Sequence, residues 1–188
     1  MRCFIALAID TDATTQLAAK IQQLKLHPWS EGIRWFLPQN FHITLQFLGG
    51  HLENNKVQEI QSSMNDWVNK EISAFQLQLN KIELFPNSDS AHTLIASVKK
   101  NQELQILVNN LWIDTQKIGL RKANQEFIPH ISLGRIYKQT DLSKIIIPRT
   151  LASCENIWLN VNAVTLYQSE LTATAPVYTK IKSIQLPQ

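Results

Sequence analysis

With 188 residues, 44% of them apolar and 18% charged, the chain is long enough for one large domain or two small lobes on a shared core, and too apolar to stay disordered. Eighteen basic against fifteen acidic residues leave a net charge of +3, which leans towards an anionic partner without singling out nucleic acid. Cys3 and Cys154 are too few and too far apart for a disulfide framework or a zinc site, which fits a reducing, cytoplasmic setting, and no segment approaches the roughly 20 apolar residues of a membrane span.

Taken in order, Arg2 to Ile9 reads as a buried strand, because Phe4, Ile5, Ala6, Leu7 and Ile9 are nearly continuous. The run ends at Asp10 and lacks a small-residue cleavage site, so it is not a signal peptide. Thr11 or Asp12 can cap a helix to about Leu24, with Leu17, Ile21 and Leu24 on one face. Pro28, Gly32 and Pro38 punctuate a loop from His27 to Asn40 that carries Arg34 and Trp35. A strand follows from Phe41 and stops at Gly49-Gly50. Val57, Ile60, Met64 and Trp67 recur at helical spacing and predict a helix from about Glu53 to Val68.

Phe75, Leu77 and Leu79 alternate, then Ile82 and Leu84 take the opposite parity, which predicts a strand bulged near Lys81. Pro86 to Ser90 is a turn, and His92 to Val98 another strand. Asn101 can cap a helix with the stripe Leu104, Leu107, Val108 and Leu111. A polar loop, Arg121 to Glu126, leads to a strand from Phe127. Asp141 to Ile147 predicts a short helix stopped by Pro148, Ile157 to Tyr167 a strand, and Val177 to Ile184 a closing strand.

Two of these strands echo each other. The first reads Phe41-His42-Ile43-Thr44-Leu45-Gln46-Phe47-Leu48-Gly49 and the second Phe127-Ile128-Pro129-His130-Ile131-Ser132-Leu133-Gly134-Arg135. In a strand, residues i and i+2 share a face, so His42 points with Thr44, and His130 with Ser132, away from Ile43, Leu45, Ile131 and Leu133. Two half-sites, each an imidazole beside a hydroxyl, suit acid–base chemistry on an anion. The histidines lie 88 residues apart, close to half the chain, and each closes a strand–helix–strand unit. That spacing suggests two similar lobes related by a pseudo-twofold, with the motif strands meeting at a central cleft. No Asp or Glu stands beside either motif to complete a metal site. His27, His51 and His92 receive no role.

The pair His42-Ile43-Thr44-Leu45 and His130-Ile131-Ser132-Leu133 resembles the twin HxTx (HxSx) signature of the 2H phosphoesterases. Arg2 to Leu7, Arg34-Trp35, Asn40 to Gly49, Pro129, Arg135 and Leu166 to Leu171 make the chain similar, over nearly its whole length, to the RNA 2′,3′-cyclic phosphodiesterase group, also called 2′-5′ RNA ligase-like. Ser132 stands where Thr is commoner, which keeps the hydroxyl. The stretch Thr172 to Tyr178 lacks a glycine that members often carry there.

The resemblance implies an α+β fold, bilobal, of two pseudo-symmetric antiparallel sheets with helices outside and a central cleft. It implies one domain over 1–188 made of two intertwined lobes. The implied activity is metal-independent hydrolysis of 2′,3′-cyclic phosphate ends of RNA to 2′-phosphomonoesters, without a cofactor, by an expected monomer. It makes His42 the proton donor and His130 the proton acceptor; the symmetry of the residues themselves leaves that assignment open. Thr44 and Ser132 are expected to donate to the non-bridging phosphate oxygens, and Arg135 to add a cation. Arg135 lies five residues after His130, so a regular strand points it away from the cleft unless Gly134 marks a bulge or strand end. Trp35, Arg34 and Gln46 are candidate base or RNA contacts, with packing the plainer reading for Trp35. Arg121 and Lys122 could meet an RNA backbone or simply be solvated. Two other readings stay open: 2′-5′ ligation by the reverse reaction, and a non-catalytic nucleotide- or RNA-binding module.

Overall fold

The computed structural model describes residues 1–67, 72–120, 126–172 and 176–188. Val68, Arg121, Lys122 and residues 173–175 of the glycine-free stretch lie outside them. Strand β1 (Cys3–Ala8) is followed by helix α1 (Thr11–Leu24), the three-residue β2 (Ile33–Trp35), β3 (His42–Gly49) and α2 (Asn54–Trp67). Then come β4 (Phe75–Phe85), β5 (Thr93–Val98), α3 (Gln102–Lys117), β6 (His130–Ile136), the single turn α4 (Arg149–Ala152), β7 (Trp158–Val161), β8 (Ala163–Leu171) and β9 (Pro176–Gln185). The predicted stripes are the buried ones: Leu17, Ile21 and Leu24 in α1, Val57, Ile60, Met64 and Trp67 in α2, and Leu104, Leu107, Val108 and Leu111 in α3 all join one core cluster. Asn101 caps α3, its Oδ1 accepting from Leu104 N at 2.8 Å. The expected caps of α1 are displaced by one residue, since Asp10 Oδ1 takes the Ala13 N–H at 2.9 Å.

Among the described residues all strand pairings are antiparallel. The order is β7-β4-β5-β6-β3-β1-β8-β9, with β2 also pairing β6. The architecture is thus α+β, and the two halves expected as separate sheets form one hydrogen-bonded path. Its middle is the pair of motif strands, β6 and β3, matched at Ile43 and Ile131. Outward from that pair the order is symmetric in kind: β1 then β8 and β9 on one side, β5 then β4 and β7 on the other. Asn162 alone separates β7 from β8, yet these strands stand near opposite ends of the path, so the sheet curls round until its ends meet.

Three expectations are corrected. The His27–Asn40 loop contains β2, which is too short for alternation to reveal. The helix expected over Asp141–Ile147 is a 3-10 turn of Leu142–Lys144, because Asp141 Oδ1 binds Ser143 N and Oγ locally and Pro148 favours extended backbone before it. The single strand expected from Ile157 to Tyr167 is two, β7 and β8, serving different neighbours. Both cysteines are buried and free. Among the described residues no helix is long and apolar enough to cross a membrane.

Candidate active site

Each motif strand carries a bulge, and the bulges decide what faces the cleft. Along β3, Ile5 matches Gln46 and Ala6 matches Thr44, so Leu45 is the extra residue. Along β6, Leu94 matches Gly134 and Ile95 matches Ser132, so Leu133 is the extra one. A bulge flips the parity beyond it. Leu45 and Gln46 are therefore both buried, as are Leu133 and Gly134. His42, Thr44 and Phe47 share the open face of β3, and His130, Ser132 and Arg135 share that of β6. The parity problem of Arg135 is resolved by this bulge at Leu133–Gly134.

Extended one residue either way from Ile43 and Ile131, the antiparallel register sets His42 across from Ser132 and Thr44 across from His130. The imidazoles occupy one diagonal and the hydroxyls the other, a separation of about 7–8 Å for diagonal neighbours in a regular pair. Both rings are oriented alike. His42 Nδ1 is 2.7 Å from the Asn40 carbonyl and His130 Nδ1 2.7 Å from the Ile128 carbonyl, in each case two residues earlier. A carbonyl can only accept, so Nδ1 carries the proton and donates, leaving Nε2 as the working nitrogen. His42 Nε2 meets Thr44 Oγ1 at 3.0 Å. Aromatic walls hold the rings: Phe4 packs on His42 and Phe85 on His130, both at 4.9 Å, and Tyr178 adds an edge to His42 at 5.1 Å.

Burial under these rings lowers the pKa of both histidines, the carbonyl bonds working the other way. The charge of His130 lowers His42 further. The two imidazoles therefore feel each other, and protonation of both at once is disfavoured. Among the described residues no group of three or more His, Cys, Asp or Glu could hold a metal.

The other predicted contacts divide. Arg135 and Arg34 are cross-strand partners, both exposed on one face. Trp35, one residue on, takes the opposite parity, packs against the core and has the Lys25 ammonium 5.9 Å from its ring. Gln46 is buried and accepts from Thr115 of α3 at 3.0 Å, because the bulge at Leu45 turns it inward. Neither Trp35 nor Gln46 joins the open face. Sequence reading missed Phe4, Phe85 and Tyr178, whose roles depend on strand neighbours distant in the chain. It also missed Phe47 and Arg2. Phe47 stands five residues after His42 as Arg135 does after His130, and the Arg2 guanidinium lies 4.6 Å from the Phe47 ring. That equal spacing was available in the sequence.

Comparison with known proteins gives a consistent result. The family model "LigT like Phosphoesterase" matches residues 7–95, which include the first motif. An RNA 2′,3′-cyclic phosphodiesterase of Archaeoglobus fulgidus is 26% identical over 97% of this chain and 98% of its own length. One of Methanocaldococcus jannaschii is 28% identical over 97% and 99%. The crystal structure of E. coli LigT in apo form is 25% identical, with a TM-score of 0.75 over 100% of this chain and 98% of that one. The complex of E. coli LigT with 3′-AMP has a TM-score of 0.79 at 24% identity. Family model, full-length relatives and fold agree on one group of phosphoesterases and mark the chain as an enzyme.

Proposed function

From its similarity to LigT-like phosphoesterases and RNA 2′,3′-cyclic phosphodiesterases we propose that this chain hydrolyses 2′,3′-cyclic phosphate ends of RNA to 2′-phosphomonoesters without a metal. The observation that carries the reading is the diagonal pair of imidazoles, each locked by a carbonyl on Nδ1 and presenting Nε2. Opening a cyclic phosphodiester needs a base for the attacking water and an acid for the leaving ribose oxygen, in line on opposite sides of phosphorus. A phosphorus over the Ile43–Ile131 pair has one Nε2 on each side. Following the family, His130 Nε2 takes the proton of the water and His42 Nε2 delivers one to the 3′ oxygen as its bond to phosphorus breaks. Thr44 and Ser132, on the other diagonal, donate to the non-bridging oxygens, and Arg135 adds a cation at the edge of the site.

The mutual repulsion of the two imidazolium charges suits this division, since catalysis needs one ring charged and one neutral. The relatives' names supply the substrate class. With a 5′-hydroxyl in place of water, the same pair opens the same P–O3′ bond and leaves a 2′-5′ link, so ligation is the second reading.

The test is product analysis on a short oligonucleotide ending in a 2′,3′-cyclic phosphate, in EDTA, with and without a 5′-hydroxyl oligonucleotide. The expected product is the 2′-phosphate. A joined strand as the main product favours ligation, and tight binding without any product reduces the chain to a binding module.

A further inference from the structure

Beside the paired histidines lies a second concavity, of about 680 Å³, lined by Arg34, His92, Arg135, Tyr137 and Lys138 among others. Among the described residues no carboxylate lines it. The two acids nearest in sequence are engaged elsewhere: Asp89 accepts from Ser88 Oγ, and Asp141 accepts from Ser143 and stands 3.6 Å from Lys144. Arg34 and Arg135 are matched directly across β2 and β6. Like charges directly opposite are unfavourable unless something neutralises them. Among the described residues neither guanidinium has a carboxylate within ion-pair distance, and Arg135 Nη1 lies 3.4 Å from His92 Nδ1. The strands are built to hold cations against one another at an open surface.

The concavity and the site already described share Arg135 and strand β6. Arg135 follows Ser132 on the same face of β6, and at about 3.3 Å per residue the step is about 10 Å or less once the bulge is counted. A contiguous ring path runs the same way, from His130 to Phe85 at 4.9 Å and on to His92 at 6.4 Å. An anion seated here is one short step along a chain whose terminal phosphate lies between the histidines.

We propose that this concavity is a subsite for the internucleotide phosphate preceding the cyclic end, so that the enzyme reads two consecutive phosphates of an RNA strand. The proposal rests on the hydrolase reading for its first phosphate. Arg34 and Lys138 bind the second phosphate, Arg135 lies between the two, and exposed Tyr137 offers a ring to the adjoining nucleotide. The preferred substrate is then an oligonucleotide end and not a free cyclic mononucleotide.

The test is equilibrium binding by calorimetry, which needs no turnover. Three ligands are compared: a nucleoside 2′-monophosphate, a dinucleotide ending in the same 2′-phosphate, and that dinucleotide with a neutral methylphosphonate linkage. The charged dinucleotide is expected to bind at least about tenfold tighter than the mononucleotide, with a steeper salt dependence of about 0.7 in slope for the added phosphate. The neutral linkage and the Arg34→Glu, Lys138→Glu double variant should each reduce that preference to about twofold or less. Thermal melting of the variant should match the parent. Equal affinity for mono- and dinucleotide, or a preference that survives the neutral linkage or the charge reversals, overturns the subsite. Absence of turnover with the charge-dependent preference intact would instead overturn the hydrolase reading and leave the subsite standing.

Discussion

At the scale of single residues, the two histidines differ less in kind than in surroundings. His42 is held between Phe4 and Tyr178 and His130 against Phe85, and both have pKa values below the usual histidine 6.5 because burial penalises their charge. At low pH both rings are charged and the base is lost; at high pH both are neutral and the acid is lost. The profile of kcat/KM is therefore expected to be a bell with its maximum on the acid side of 6.5. A bound phosphate anion raises both values, so the bell of kcat should lie at higher pH than that of kcat/KM. A rate that climbs steadily with pH points instead to hydroxide attack. The hydroxyls carry less. Thr44→Ala and Ser132→Ala each remove a hydrogen bond to developing charge worth roughly 2–4 kcal/mol. Each should slow turnover less than loss of either histidine, and unchanged turnover in both would mean that neither faces the phosphate.

At the scale of elements, the bulges do what neither motif alone could. Alternation along β3 and β6 made His42, Thr44, His130 and Ser132 legible, because a strand needs only local sequence to define its faces. The same alternation placed Gln46 in the cleft and Arg135 outside it, and both are reversed by the extra residue that precedes each, Leu45 in β3 and Leu133 in β6. Only Gly134 hinted at this. Its hydrogen faces β2 closely: a Cβ there would lie 2.5 Å from Ile33 Cγ2 and 3.2 Å from the Arg34 carbonyl oxygen. Gly134→Ala is expected to cost about 1–3 kcal/mol in urea unfolding by forcing β2 off β6. It should also weaken the dinucleotide preference, since Arg34 rides on β2. Unaltered stability would mean that β2 yields freely and does not position Arg34. Strand β2 itself was hidden, being three residues without a period, and so was the Arg34–Arg135 pairing it creates.

At the scale of the whole molecule, the symmetry read from two motifs half a chain apart reappears as the order of strands about the Ile43–Ile131 pair. What the sequence could not disclose is closure. The chain from β7 to β8 joins the two ends of the sheet, and long-range pairs of this kind leave no local signature. Asp10 is one of the ties that hold this closure, since Oδ1 caps α1 while Oδ2 accepts from Asn160 N at 2.9 Å and Asn160 Nδ2 at 3.2 Å. Asp10→Ala should lose more than the ~1 kcal/mol of an ordinary cap. Asn160→Ala in the same background should add little, because the partners share one network. Fully additive losses in chemical denaturation would show the cap and the β7 tie to be independent.

The central claim is that two histidines act as one acid–base unit on a cyclic phosphate. It is tested most directly by turnover of a 2′,3′-cyclic phosphate oligonucleotide, in EDTA, by the parent, His42→Ala, His130→Ala and the double variant. The parent is expected to keep its rate on chelation and each single variant to lose roughly 10²–10⁴-fold. The double variant should then be little slower than either, because both act on the same displacement. A parent silenced by EDTA and restored by added metal, or a double variant whose loss equals the product of the two single losses, would contradict it.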